Sequence, residues 1–196
     1  MRIFQMSRSM KITLSSRIQT LPPYLFGKLN QTKYEKRRQG VDIIDLGMGN
    51  PVDPTPQVVV DKLCAAVQDP RNHRYSTATG IFNLKREVAV QYKKRYGAEL
   101  DPSDEIVCTI GSKEGFSHLC GALMGPGDVA IVPTPTFPIH KNAIRLADAS
   151  VVGVALSTEE NLLRDVDRIM RSMTPRPKLL VLNFPHNPTT MTVSPE

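Results

Sequence analysis

Cysteine is scarce in this sequence. The three cysteines, Cys64, Cys108 and Cys120, stand far apart, with no C-x-x-C pair and no histidine at the spacing of a metal ligand. Each is flanked by apolar residues, a setting in which a free cysteine usually behaves as a small buried hydrophobe. We therefore expect three buried thiols, no metal site and a cytoplasmic location, where thiols stay reduced.

Long apolar runs and a basic globular surface are also missing. No stretch approaches the ~20 apolar residues of a membrane-spanning helix. Residues 1–40 hold nine Lys or Arg and one acidic residue, whereas residues 41–196 hold sixteen basic and eighteen acidic groups, so the net charge of +6 belongs to the N-terminal arm. Nucleic-acid binding needs basic groups clustered on the fold itself, and we expect neither nucleic acid nor membrane as a partner.

The first 34 residues contain no acidic residue but several serines and arginines. This composition resembles that of a mitochondrial transit peptide. The alternative, which we favour, is an unstructured start with translation beginning at Met6 or Met10.

Past the arm, helical and strand patterns alternate. Apolar residues at helical spacing predict amphipathic helices over 56–68 and 80–97, with Gly97 as the C-cap of the second. The remaining predicted elements are strands at 105–111, 129–135, 150–156 and 178–184, and helices at 112–124, 137–147 and 158–172. Continuous apolar strands separated by amphipathic helices predict an α/β fold, with βαβ units and a parallel sheet covered on both faces.

Ligands of open parallel sheets bind outside the carboxyl ends of the strands. One strand-ending loop here is "TIGSKEG", in which Gly111 permits a tight turn into a helix. The first helical N–H groups, those of Ser112, Lys113 and Glu114, have no intrahelical acceptor and, with the helix dipole, form a site for phosphate. No Walker motif G-x-x-x-x-G-K is present.

Two further loops, "VPTPTFP" and "LNFPHNPTT", follow predicted strands. Phe137 could stack on a planar ligand ring or be a core residue beside its helix. Pro185 and Pro188 forbid a continuing central strand, so Asn187 is displayed on a rigid loop, as a turn residue or as a ligand. We expect structural roles for His140 and His186, which have no carboxylate or metal partner nearby in the sequence.

Taken in chain order, the loops "TIGSKEG", "VPTPTFP" and "LNFPHNPTT" resemble those of the fold-type I, class I/II pyridoxal-phosphate aminotransferases. The resemblance begins near Arg17, runs to the last residue, and is most specific in "LNFPHNPTT". It rests on the segments "RIQTLPPYLFGKLN", "IDLGMGNPVDPTP", "RYSTATGIFNLKREVA", "TIGSKEG", "VPTPTFPIH" and "LNFPHNPTT". Within the family, the sequence looks most like the glutamate–pyruvate (alanine) branch, with the LL-diaminopimelate aminotransferases as a close alternative.

The resemblance implies a three-layer αβα large domain and pyridoxal 5′-phosphate as cofactor. It implies that Ser112, Lys113 and, less directly, Glu114 hold the cofactor phosphate. Phe137 would stack on the cofactor ring, and Asn187 would donate to its phenolic oxygen.

The resemblance also implies roles for two residues outside these loops. Gly49 matches a loop whose backbone meets the substrate carboxylate, the substrates being an amino acid and a 2-oxo acid. Tyr75 matches a tyrosine that reaches the phosphate bound by the other subunit, which implies a homodimer. Without the resemblance, we would expect Tyr75 to be a half-buried aromatic that precedes a helix.

Three family residues follow the N-P-T loop in family order and lie beyond Glu196: the Schiff-base lysine, an aspartate at the pyridine nitrogen and an arginine for the substrate carboxylate. We therefore expect no catalytic residue in this chain, and Lys113 belongs to the phosphate site instead. We expect a basic arm and helix over 1–40, and the N-terminal half of the cofactor-binding large domain over 41–196.

The helix-starting context of Ser194, Pro195 and Glu196 leads us to expect a truncated chain that does not transaminate alone. Two alternatives are a non-catalytic fragment or phosphate-ligand-binding module, and a generic nucleotide-binding α/β protein. The latter lacks any Gly-rich fingerprint in this sequence.

Overall fold

A computed structural model describes residues 12–47, 49 and 51–194, apart from the side chain of Leu25. The predictions for Met6, Met10, Pro195 and Glu196 lie outside these residues. The described chain forms two compact units. Unit 1 comprises residues 12–21 and 109–194, and unit 2 comprises Pro22–Cys108.

The elements follow the predicted alternation closely. In unit 2 they are α2 (Leu25–Arg38), α3 (Gln57–Gln68), a 3₁₀ turn (Pro70–Asn72) and α4 (Phe82–Tyr96). In unit 1 they are α1 (Ser16–Gln19), α5 (Ser112–Leu123), β1 (Val129–Thr134), α6 (Pro138–Leu146), β2 (Ser150–Ala155), α7 (Glu159–Ser172) and β3 (Leu179–Leu180).

The strands of unit 1 form a parallel sheet in the order β2-β1-β3. In register, β1 and β2 pair from Val129↔Ser150 to Thr134↔Ala155. The predicted parallel sheet is thus confirmed, but the strand predicted at 178–184 is limited to Leu179–Leu180. The N–H of Val181 still donates to the Ile131 carbonyl (3.0 Å), and Pro133 then has no N–H with which to continue the ladder.

The strand predicted at 105–111 is wrong, because these residues form no strand. A strand needs a neighbouring strand to bond its backbone, and here the N–H of Cys108 donates instead to the carbonyl of Thr79 in a loop (3.0 Å). Val107 and Ile110 are exposed, so apolar composition alone was misleading in this segment.

Side chains of β1 alternate between two buried faces of the sheet. Ala130 and Val132 pack with residues of α5 and α6, including Cys120 and Ile144. Ile131 points to the other face, where it packs with Val154, Leu162 and the apolar residues of α7. The predicted αβα layering is therefore confirmed, and β1 is the central buried strand.

In unit 2, the two predicted amphipathic helices are confirmed as α3 and α4. Gly97 ends α4 at φ +68°, and its N–H donates to the Lys93 carbonyl (3.0 Å), as expected of a C-cap. Within this unit, however, the apolar stripe of α3 faces solvent, and Leu63 is exposed. Cys64 on that stripe is exposed too and Cys108 is half-buried, so the expectation of three buried thiols is confirmed only for Cys120.

Candidate functional site

The N-terminus of α5 has the geometry of an anion site. Gly111 is the N-cap at φ +83°, a conformation that favours glycine, and no side chain caps the helix there. The Gly115 N–H bonds back to the Gly111 carbonyl (3.4 Å), which leaves the N–H groups of Ser112, Lys113 and Glu114 without intrahelical acceptors. Such groups, with the helix dipole, bind anions.

The side chain of Glu114 turns back toward the residues before the helix. Its carboxylate accepts a hydrogen bond from the N–H of Ile110, just before the helix. This reach-back resembles the acidic half of a capping box. Any contribution of Glu114 to an anion would therefore come from its backbone N–H.

The structure brings two of the predicted residues together. Phe137 is the N-cap of α6, with Pro138 in the first turn, and the Lys113 ammonium lies over its ring, 5.0 Å from the ring centroid. This is cation–π distance. A positive charge and a flat aromatic face thus share one side of the sheet.

His140 lies behind this pair. Its ring makes edge-to-face contacts with Phe116 (5.4 Å between centroids) and Phe137 (6.0 Å), and its Nδ1 is 2.8 Å from the Thr136 hydroxyl. Burial, and secondarily the nearby imidazole of His186, lowers the pKa of His140. The sequence did not reveal that this histidine contacts the predicted stacking ring.

The loop that carries Asn187 is tied together by its neighbour. His186 is only 3% exposed; its Nδ1 lies 2.8 Å from the Thr189 hydroxyl, and its N–H donates to the Met191 carbonyl (2.8 Å). The peptide bonds before Pro185 and Pro188 are cis. Asn187 itself is exposed, and its amide has no hydrogen-bond partner in the described part of the chain.

Both loops lie at one edge of the sheet, because β1 and β3 are parallel and Phe137 and Asn187 follow their carboxyl ends. The contact between Lys113 and Phe137 joins the start of α5 to the same edge. This edge therefore offers backbone donors and a cation for an anionic group, a flat ring, and a free amide. These groups suit a ligand that joins a phosphate to a planar ring, as pyridoxal 5′-phosphate does.

Gly49 and Tyr75 belong to unit 2. A Cβ added at Gly49 would meet nothing within 4 Å, so packing inside this unit does not require glycine there. Tyr75 is fully exposed, which contradicts the alternative of a half-buried aromatic. It lines an open cleft of about 630 Å³, together with side chains of α3, the 3₁₀ turn and the start of α4.

The described residues contain neither a membrane-spanning helix nor a metal-binding cluster. Residues 12–47, 49 and 51–194 include no helix long and apolar enough to cross a membrane. The same residues contain no cluster of three or more His, Cys, Asp or Glu side chains that could hold a metal ion.

Sequence comparison identifies related proteins. The family model "Aminotransferase class I and II" matches residues 41–196. The chain is 46% identical over 88% of its length to a putative aminotransferase AatC of Rhizobium meliloti, covering 43% of that protein. It is 43% identical to the glutamate-pyruvate aminotransferase AlaC of Escherichia coli and 41% identical to the LL-diaminopimelate aminotransferase of Halothermothrix orenii, over 92% and 89% of its length, covering 44% and 45% of them.

Solved structures agree with this likeness. Substrate-bound BacF from Bacillus subtilis matches 94% of the chain with a TM-score of 0.84 and 34% identity, and the chain covers 47% of it. A Thermus thermophilus aspartate aminotransferase matches 91% of the chain with a TM-score of 0.80 and 33% identity, of which the chain covers 46%. The chain thus spans somewhat less than half the length of the relatives it matches. The predicted family is confirmed: the chain belongs to the class I and II aminotransferases, whose members use pyridoxal 5′-phosphate.

Proposed function

We propose that the protein carrying these residues moves an amino group between an α-amino acid and an α-keto acid with the help of pyridoxal phosphate. The observation that carries this proposal is the contact between Lys113 and Phe137, at the sheet edge where Asn187 also lies. Lys113 at the start of α5 suits the phosphate of pyridoxal phosphate, the Phe137 face suits its ring, and the Asn187 amide suits its phenolic oxygen.

The start of α5 would hold the cofactor phosphate. The unbonded N–H groups of Ser112, Lys113 and Glu114 point along the helix axis, and the Lys113 ammonium adds a full positive charge. Because the Glu114 carboxylate accepts from Ile110, only its N–H would face the anion.

Phe137 and Asn187 would hold the cofactor ring. Phe137 offers a flat face fixed at the start of α6, and the Asn187 amide would donate to the phenolic oxygen. When bound, pyridoxal phosphate supplies an electron-withdrawing ring that stabilises negative charge at the substrate α-carbon. The hydrogen bonds of His186 to Thr189 and Met191 hold the backbone beside Asn187, so the loop would need little reorganisation when the amide donates to the ring.

Gly49 and Tyr75 of unit 2 have proposed roles of their own. We propose that the backbone at Gly49 meets the substrate carboxylate and that Tyr75 reaches the phosphate bound by the partner subunit of a homodimer. The full exposure of Tyr75 supports the second role, since an exposed phenol is free to bind outside its own unit.

For substrates, we propose glutamate and pyruvate, with LL-diaminopimelate as the alternative donor. AlaC and the LL-diaminopimelate aminotransferases resemble the chain almost equally, at 43% and 41% identity. A cytoplasmic location is proposed as well, supported by three free cysteines among the described residues.

We propose further that residues 1–40 form an arm and helix, that residues 41–196 form the N-terminal half of the cofactor-binding large domain, and that the family's cofactor-linked lysine is not among them. Lys113 cannot replace it, because its place is the phosphate site. The 196 residues alone would therefore bind phosphate ligands weakly and transfer no amino group.

Transamination by the full protein tests this proposal. With pyridoxal phosphate, glutamate and pyruvate, we expect 2-oxoglutarate and alanine in equal amounts, and residues 1–196 alone should yield neither. Binding of the cofactor by the full protein without transfer from glutamate or LL-diaminopimelate would favour the non-catalytic binding module instead.

Asn187 and Asn183 provide a matched pair in one loop. The Asn183 amide already donates to the Pro185 carbonyl (3.4 Å), whereas Asn187 is free. We expect Asn187→Ala to change the absorption spectrum of the bound cofactor and to weaken its binding about tenfold, the value of one hydrogen bond to a charged group. Asn183→Ala should leave both unchanged, and equal effects of the two variants would contradict the role of Asn187.

A further inference from the structure

Lys85 is a buried cation in unit 2 with no assigned role. It lies in α4 and is 4% exposed, although lysine is almost never fully buried unless it is paired. Among the described residues no carboxylate pairs with it. Its ammonium donates instead to the Ser103 carbonyl (3.3 Å) and, at longer range, to the Thr79 hydroxyl (3.5 Å).

The Ser103 carbonyl is presented by a preformed turn. The N–H of Ser103 donates to the Asp101 carboxylate (2.7 Å), and the N–H of Asp101 donates to the Glu105 carboxylate (2.8 Å). The N–H of Glu105 also bonds to the Asp101 carbonyl (2.9 Å). Lys85 therefore bonds to a rigid acceptor.

Thr79 lies in a second turn, which several hydrogen bonds and a close packing contact stabilise. The N–H of Gly80 donates to the Thr77 carbonyl (3.0 Å), and the Thr77 hydroxyl donates to the Gly80 carbonyl. The Thr79 carbonyl accepts from the N–H of Cys108 (3.0 Å). Gly80 lies against the Cys108 side chain, so closely that an added Cβ would be 2.5 Å from Cys108 Cβ.

This second turn begins two residues after Tyr75. The Tyr75 side chain is fully exposed and makes no hydrogen bond within the described chain. Its direction is therefore set by the backbone that the Thr77–Gly80 turn anchors. An exposed side chain that must meet a ligand needs such support to keep its orientation.

We propose that Lys85 is a positioning residue that fixes the Tyr75 loop against α4 and the Asp101–Glu105 turn. The inference rests on the proposed function, in which Tyr75 binds the phosphate held by the partner subunit. Lys85 then acts on cofactor binding only through Tyr75. This explains why a cation is buried without a carboxylate: its bonds join three segments of the chain.

A double-mutant cycle in the full protein tests this inference. Lys85→Met removes the donors at nearly constant length, and we expect the dissociation constant of pyridoxal phosphate to rise about tenfold. In a Tyr75→Phe background, the same change should add less than about twofold, because the two residues act on one contact. Lys94→Met, on the same helix, is the control and should have no effect.

Amide hydrogen exchange in the cofactor-free protein provides a second readout. Lys85→Met should speed exchange of the Gly80 and Cys108 N–H groups, and Lys94→Met should not. If Lys85→Met fails to fold, Thr79→Val removes one of its acceptors and should show the same two effects, more weakly.

The outcomes separate this inference from the proposed function. A wild type that binds no pyridoxal phosphate contradicts the proposed function, and this inference with it. A wild type that binds the cofactor, together with fully additive effects of Lys85→Met and Tyr75→Phe, overturns the positioning role alone. Unchanged exchange at Gly80 and Cys108 also overturns it.

Discussion

Helices with the same apolar periodicity are buried in unit 1 and exposed in unit 2. Every buried hydrophobic residue among those described lies in unit 1, except Ile106. In unit 1 the apolar side of each long helix packs on the sheet, whereas in unit 2 Leu63 on α3 and Tyr96 on α4 are 65% and 70% exposed. Turns, helix caps and the hydrogen bonds of Lys85 hold unit 2 together more than a hydrophobic core does.

Helical periodicity therefore predicts a helix but not whether its apolar side is buried. An apolar stripe forms a helix wherever the chain can bond its own backbone, but it is buried only where another surface faces it. In unit 1 that surface is the parallel sheet. We therefore expect substitutions of apolar residues to act strongly in unit 1 and weakly in unit 2.

The largest expected effect is that of cavity formation in unit 1. Ile144 is fully buried between α6 and the sheet, so Ile144→Ala should lower the free energy of unfolding by about 3 kcal/mol. Leu63→Ala, at an exposed site of unit 2, should change it by less than about 0.5 kcal/mol. Urea unfolding measures both, and equal losses would show that the units do not differ in this way.

The next largest effects are those of two Gly→Ala substitutions, which should change stability in opposite directions in the two units. Gly80 in unit 2 has φ +99° and no room beside Cys108, so Gly80→Ala should destabilise by about 2 kcal/mol. Gly121 in α5 has open space around it, so Gly121→Ala should stabilise the helix by about 0.5–1 kcal/mol. Thermal unfolding of the two variants decides, and a stabilised Gly80→Ala would contradict the tight contact with Cys108.

The smallest expected effect is electrostatic and is similar in the two units. A hydrogen bond from Lys178 lowers the pKa of Asp128 in unit 1, and one from Lys33 lowers that of Asp45 in unit 2, both from 3.8. A carboxylate with a lowered pKa adds stability above its unfolded pKa and loses it as pH falls through the folded pKa.

Asp128→Asn and Asp45→Asn should therefore reduce stability at neutral pH slightly and flatten its decline below about pH 4. Urea midpoints between pH 2 and pH 7 measure this decline. A steeper decline in either variant would contradict the assigned direction of the pKa shift.

Much of unit 1 could be predicted because its signals are local. Continuous apolar strands, amphipathic helices and glycine or proline at their ends define β1, β2 and α5 to α7 without knowledge of neighbours. The strand expected at 105–111 failed because a strand also needs a partner. The shortness of β3 depends on Pro133 in the adjacent strand, which a reading of β3 alone does not include.

The sequence allows individual residues of the candidate site to be predicted, but not the distances and contacts between them. The sequence alone predicts an anion site at the helix start near Ser112 and an Asn187 displayed on a loop. The distance between Lys113 and Phe137, the packing of His140 and the capping role of Glu114 depend on tertiary contacts. Lys85 escaped prediction because a lysine within a helical pattern is ordinarily solvent-exposed.

The central claim is that one edge of the sheet in unit 1 holds pyridoxal phosphate. A crystal structure of the full protein with this cofactor tests it most directly. We predict the phosphate at the N–H groups of Ser112 and Lys113, the ring on Phe137, and the Asn187 amide within hydrogen-bond distance of the phenolic oxygen. A cofactor bound elsewhere, or bound here with the Asn187 amide turned away from it, would contradict the account.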